Sequence, residues 1–439
     1  MASQPIAHFT ALGLAQELRA GRVTAAQALD ACFAAIDERN GELRCFCTLA
    51  REQAYARAAE IQGRLDAGDV RSPLAGVPFA AQDLICAEGI GTACGSKMLG
   101  GFVPPYSAAA IERLQAADMI LLGKTGVDEF GLGGANEKST AAVAGGLAPA
   151  AIAIDTSGGV RQSAAFDGAF GLKPTYGTVS RHGGVIAVSS MDQIGPVARD
   201  AADCAALYAL LKGADPRDGM SVEHPDTPAL PLEGLRVGVP AEFMEGGLQP
   251  DIAAAVLAAK GALVARGATA VEISLPMTKY AVSAYYIIAG AEVSSNLARY
   301  DGITWGRSSP EADSLRETYI RSRSEGFGLE VKRRLMLGNL ALSSDRYEAY
   351  FKKAQQARRL IADDFRRAFE ACDVLLGPAA PAPIPGAEAD PLSRYLNDVD
   401  TAMPSLAGLP ALGIPGGVQL IGRAFEENTL FAAAGGIAA

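Results

Sequence analysis

Apolar positions along this chain follow two rhythms. From Phe9 to Asn40 they recur every three or four residues and predict two helices, Ala11–Ala20 and Ala25–Arg39. The second carries Leu29, Cys32, Phe33 and Ile36 on one stripe. Gly21 ends the first helix and Thr24 is placed to cap the second. Glu52–Ala67 repeats the amphipathic pattern, so roughly residues 1–70 read as a helical layer whose ordinary role is packing. Further on, short apolar runs bounded by Gly and Pro predict strands at Met119–Leu122, Ala151–Ile154, Gly234–Pro240 and Val271–Leu275. Between them Ala108–Ala117 (Ser107 placed as its N-cap), Ala201–Leu211 and Ile252–Ala265 read as helices. The alternation predicts an α/β fold, a central mixed β-sheet covered on both faces by helices. No stretch is long or low-complexity enough to be a linker and no repeat is visible, so residues 1–439 read as a single domain.

Composition narrows the function classes. A chain of 439 residues that is 49% hydrophobic can bury a large core. A net charge of −10 argues against an electrostatic grip on nucleic acid, so no direct nucleic-acid contact is expected. The seven cysteines are scattered, and the three histidines (His8, His182, His224) lack metal-type spacing, so no metal or other cofactor is expected. With no signal-like N-terminus and no apolar run approaching a membrane span, a soluble, cytoplasmic protein is expected.

Candidate chemistry concentrates between Ala151 and Thr178, AIAIDTSGGVRQSAAFDGAFGLKPTYGT. A strand entering the Gly158-Gly159 turn can bring bare backbone N–H groups close to a ligand, because glycine has no Cβ to obstruct the approach. Gly123-Lys124-Thr125 imitates the end of a phosphate-binding loop. The earlier glycine such a loop requires falls on Asp118, whose charge repels phosphate, so no nucleotide site is expected there.

The run Asp155-Thr-Ser-Gly-Gly-Val-Arg161, together with Pro73-Leu-Ala-Gly-Val-Pro78 through Asp83 and Gly123-Lys-Thr125 through Phe130, resembles the amidase signature family of Ser–cis-Ser–Lys hydrolases. Tyr285-Tyr286, Ser294–Asp301, Arg323–Gly338 and Tyr395–Pro410 are similar to the glutamine-hydrolysing A subunits of tRNA-dependent amidotransferases within it. The resemblance implies the amidase-signature fold, amidotransferase-like partner subunits and a glutamine-like ligand. It also implies that Gly159 stands where the family has its nucleophilic serine and Gln82 where it has its lysine base. A primary amide cannot take up a proton near neutral pH. The long loop carrying the cis-serine is absent between Gly133 and Ala150, where Gly133-Gly-Ala-Asn-Glu-Lys-Ser-Thr140 stands instead, and two further segments near the C-terminus are trimmed. Ser157, if its segment is extended, lies about 6–7 Å along the strand from the nucleophile position, and Cys86 has no base near in sequence. By resemblance Tyr286, Arg334 and Asp398 would grip free glutamine, with Tyr285, Arg333 and Asp400 as neighbours able to take those places. The expectation is therefore a catalytically silent amidase-fold protein, a scaffold or partner subunit still able to bind a glutamine-like ligand. The alternative is an active amidotransferase A subunit or amidase with a rearranged site.

Overall fold

The computed structural model describes residues 9–133, 137–245, 247–384 and 390–438. Its strands in chain order are β1 (Phe46–Leu49), β2 (Pro78–Gln82), β3 (Ile120–Thr125), β4 (Ala150–Asp155), β5 (Phe170–Lys173), β6 (Gln193–Ala198), β7 (Arg236–Pro240), β8 (Thr269–Ile273), β9 (Val374–Pro378), β10 (Ala411–Ile414) and β11 (Val418–Gly422). The helices are α1 (Ala11–Arg19), α2 (Ala25–Leu43), α3 (Arg51–Asp66), α4 (Ala109–Ala116), α5 (Lys138–Ala144), α6 (Gly159–Asp167), α7 (Ala201–Leu211) and α8 (Pro250–Ala265). They continue with α9 (Ala281–Asn296), α10 (Leu315–Gly326), α11 (Leu329–Leu342), α12 (Phe351–Ala371), α13 (Pro391–Leu396), α14 (Val399–Leu406) and α15 (Glu427–Ala438).

The strands form one mixed sheet in the order β1-β3-β2-β4-β6-β5-β10-β11-β9-β7-β8, with helices on both faces, as the α/β alternation predicted. β2 lies between β3 and β4 and runs parallel to both. Every residue of these three strands is buried, which explains why β3 and β4 begin as apolar runs without alternation. Because β2 and β4 are parallel neighbours, their carboxyl ends, Gln82 and Asp155, emerge at the same edge. Among the described residues no helix is long and apolar enough to cross a membrane.

Local departures from expectation have local causes. α2 runs past Arg39 to Leu43, ending where Arg44 turns left-handed at φ 51°. Thr24 does cap it: its hydroxyl accepts from the Gln27 N–H while its own N–H donates to the Gln27 side chain. The N-terminal layer is not wholly helical, since β1 reaches the sheet and pairs antiparallel with β3 at its edge. Ser107 does not cap α4. Its hydroxyl accepts from the Glu88 N–H at 3.0 Å, and Ala108 takes the cap position without a side-chain bond. β8 begins at Thr269, two residues earlier than expected, because that register pairs it parallel with β7. β10 and β11 form a tight hairpin closed by Pro415-Gly416-Gly417.

Candidate functional site

Beyond the shared edge of β2 and β4 the chain builds a narrow cleft. β4 ends at Asp155, and Thr156 to Gly158 form a bend rather than extended chain. Ser157 is therefore not carried along a strand, and the expected displacement of about 6–7 Å does not apply. Its hydroxyl hydrogen-bonds Tyr285 and Asp398. Gly158 adopts φ 139°, a conformation that favours glycine, and a Cβ there would lie 2.2 Å from Thr401 Oγ1. A Cβ at Gly159 would meet nothing within 4 Å, so that position opens onto the cleft. α6 starts there with no cap from the Gly158 side, and while the Arg161 N–H donates to Asp155 at 3.1 Å, the N–H groups of Gly159 and Val160 face the site.

The frame behind this turn is ionic. Arg161 and Asp155, both fully buried, form a two-pronged pair at 2.9 and 3.0 Å. Arg161 reaches on to the Thr401 carbonyl at 3.1 Å and the Ser405 hydroxyl at 2.9 Å, locking α6 to α14.

Gln82 lines the cleft as a hydrogen-bonding amide. Its amide oxygen accepts from the Ile154 N–H at 3.0 Å, tying β2 to β4. Its amide nitrogen donates to the carboxylate of Glu137. Glu137 is the residue that sequence reasoning missed. It caps α5, accepting from the Ser139 N–H at 2.8 Å, and burial pushes its carboxyl up to about 7. The cleft thus contains a group able to exchange a proton near neutrality, one hydrogen bond from Gln82. Ser139 Oγ pairs with Thr125 Oγ1 at 2.7 Å and is buried away from the cleft. Residues 134–136, within the segment before Ser139, lie outside the described residues.

The opposite wall comes from α9, α11 and the start of α14. Helices α9 and α11 approach so closely that a Cβ on Gly338 would lie 2.0 Å from the Gly290 carbonyl. Tyr286 and Arg334 each precede one of these glycines by one turn, and the Arg334 guanidinium stacks on the Tyr286 ring at 4.2 Å. Tyr286 donates to Asp398 at 2.8 Å, and Gln162 donates to the other carboxylate oxygen at 3.1 Å. Burial raises the Asp398 carboxyl above its usual range, opposed by these hydrogen bonds. Arg334 pairs with Glu330 through Nε at 2.8 Å and donates through Nη2 to the Leu132 carbonyl at 3.3 Å. Its Nη1 is buried without a partner. Tyr395 covers this wall, 5.0 Å from the guanidinium and bonded to Glu330 at 2.6 Å.

Of the candidate residues, Gln82, Ser157, Gly159, Tyr285, Tyr286, Arg334 and Asp398 all line the cleft, and Gly158 forms its turn. Arg333 instead pairs with Glu330 at 3.0 Å with its side chain 41% exposed, and Asp400 is buried outside the cleft. Cys86 is buried and its thiol is pushed up by desolvation, which leaves it unreactive. The cleft volume is about 50 Å³.

Known proteins supply the remaining constraint. A family model described as Amidase matches residues 27–140 and 139–431. The A subunit of the glutamyl-tRNA(Gln) amidotransferase from Lachnospira eligens is 42% identical, with 97% of this chain and 96% of that protein covered. Their alignment runs over 464 residues, more than the 439 of this chain, consistent with segments trimmed here. The crystal structure of the corresponding A subunit from Thermotoga maritima superposes with a TM-score of 0.78 at 29% identity, covering 100% of this chain and 96% of that one. A peptide amidase from Stenotrophomonas maltophilia gives 0.83 at 25% identity, covering 99% and 97%. These matches correct the expectation of a silent scaffold. Proteins bearing an enzyme's name match this chain from end to end, and loss of the site does not follow from the substitutions at Gln82 and Gly159.

Proposed function

The chain belongs to the amidase family, and from that premise we propose that it hydrolyses the C–N bond of an amino-acid amide such as glutamine, releasing ammonia, as the A subunit of an amidotransferase. The observation that carries the reading is the Glu137 carboxyl, poised at about 7 in the same cleft as the unpartnered Nη1 of Arg334. Arg334 pairs with the substrate α-carboxylate, and Asp398, oriented by Tyr286 and Gln162, accepts from the α-ammonium. The free N–H groups at the start of α6 hold the amide oxygen as it gains charge. Glu137 takes a proton from a water molecule in the open space beside Gly159 and returns it to the departing ammonia. Base and nucleophile are thus relocated rather than lost. A cleft of about 50 Å³ has room for water.

The word subunit in the relatives' name supports association with further subunits. Leu329, Met336 and Leu340, exposed along one side of α11, offer them an apolar surface.

The test is ammonia release from glutamine by the purified chain, alone and with amidotransferase partner subunits. Glu137→Gln is expected to abolish it and Ser157→Ala to leave most of it. Activity that survives in Glu137→Gln but disappears in Ser157→Ala would move the chemistry to Ser157. Glutamine should also raise the melting temperature in a saturable way. Arg334→Ala should remove that shift, whereas Gln82→Ala should retain most of it.

A further inference from the structure

Away from that cleft, and sharing no lining residue with it, a cavity of about 920 Å³ opens between the Lys97–Gly101 turn and the loop leading to Arg307. Its volume is within the range of pockets that enclose a whole small molecule, about 300–1,000 Å³. The charged groups lining it are Lys97, Arg299 and Arg307, without a carboxylate, in a chain whose net charge is −10. Arg307 lies 3.7 Å from Glu325. Among the described residues Arg299 donates only to the Asn296 carbonyl, at 2.8 Å, and neither it nor Lys97 is held in an ion pair.

Aromatic rings complete the wall. Trp305, the single tryptophan of the chain, is 61% exposed. The backbone that carries it is held on both sides: Asp301 Oδ1 accepts from the N–H groups of Ile303 and Thr304 at 2.8 Å, and the Arg307 N–H donates to the Met98 carbonyl at 2.9 Å. Tyr300 is anchored by stacking on Phe130 at 5.4 Å, and Tyr106 stands across the opening. A rigid loop that presents an indole to water beside unpaired cations is arranged for a flat ring carrying negative charge.

We propose that this cavity binds a nucleoside phosphate, its base on Trp305 and its phosphate between Lys97 and Arg299. The site does not rest on the amidase reading and is separate from the Gly123-Lys124-Thr125 strand end. The same chemistry is available from a free mononucleotide or from the end of a single-stranded RNA.

Trp305 is its own reporter. Titration of the full chain with AMP is expected to quench tryptophan emission saturably below millimolar concentration. Adenosine and inorganic phosphate, each engaging half of the site, should bind about tenfold more weakly or worse. The double variant Lys97→Ala, Arg299→Ala should weaken AMP by about tenfold or more, Arg299→Lys by less, and added salt should weaken the wild type. A short oligoadenylate that binds more tightly than AMP would assign the source to RNA, and the reverse order to free nucleotide. No saturable quenching by either at millimolar concentration, or quenching unchanged in the double variant, would overturn the proposal.

Discussion

Burying Glu137 has a cost that pH exposes. Its folded carboxyl ionises near 7, against about 4.3 in an unfolded chain. A raised carboxyl pKa means that the folded state holds the proton more tightly. Its contribution is fully present below about pH 4.3 and is lost as pH climbs through 7, on the order of 3–4 kcal/mol. The melting temperature of the wild type should therefore fall over this window more than that of Glu137→Gln, which cannot ionise. Amide hydrolysis should run the other way, its rate rising through about pH 7 as the base is freed. Opposite slopes for stability and turnover, both flattened by one substitution, would tie the two to the same carboxyl. Nothing in the sequence marks Glu137, because its environment depends on contact with Gln82, 55 residues away. Tyr286, Arg334 and Asp398 were legible because each sits in a long motif whose chemistry suits an amino-acid zwitterion. Choosing them over Arg333 and Asp400 required the directions of their side chains, which only packing decides.

Helix crossings set distances that residue types cannot. The contact of α9 with α11 at Gly290 and Gly338 brings Tyr286 and Arg334 together one turn away. Gly338→Ala would place a Cβ about where the Gly290 carbonyl sits, and overpacking of this kind costs roughly 1–3 kcal/mol. The variant is expected to melt lower and to lose the glutamine-induced shift although no binding group has changed. At the start of α6 two adjacent glycines should behave differently. Gly158→Ala meets both an unfavourable φ and the Thr401 side chain, for a loss of about 1–3 kcal/mol. Gly159→Ser enters open space and should leave the melting temperature within about 1 kcal/mol equivalent of wild type. Elements with a strong pattern, the apolar stripe of α2 and the apolar run of β4, were readable from the chain. The four residues of β1 were not, since too few positions alternate and the strand is defined by its pairing with β3.

Across the whole molecule the Arg161–Asp155 pair joins distant parts of the chain. Removing one partner of a buried ion pair typically costs about 3–5 kcal/mol, so Arg161→Ala should depress the melting temperature far more than Arg333→Ala on the exposed side of α11. The α/β architecture was legible in the alternation of helix and strand, but the strand order was not, because β9, β10 and β11 enter the sheet from the far end of the sequence. That late entry bears on how the protein is made. Arg161 finds its acceptors at Thr401 and Ser405 only after about 240 further residues have been added. At a ribosomal pace of roughly 5–20 residues per second, the guanidinium waits tens of seconds beside Asp155 with its remaining donors unmet. A nascent chain released before residue 398 would have the turn and Glu137 but no Asp398. Ligand binding should therefore switch on abruptly, in the last tenth of synthesis, and not grow with length.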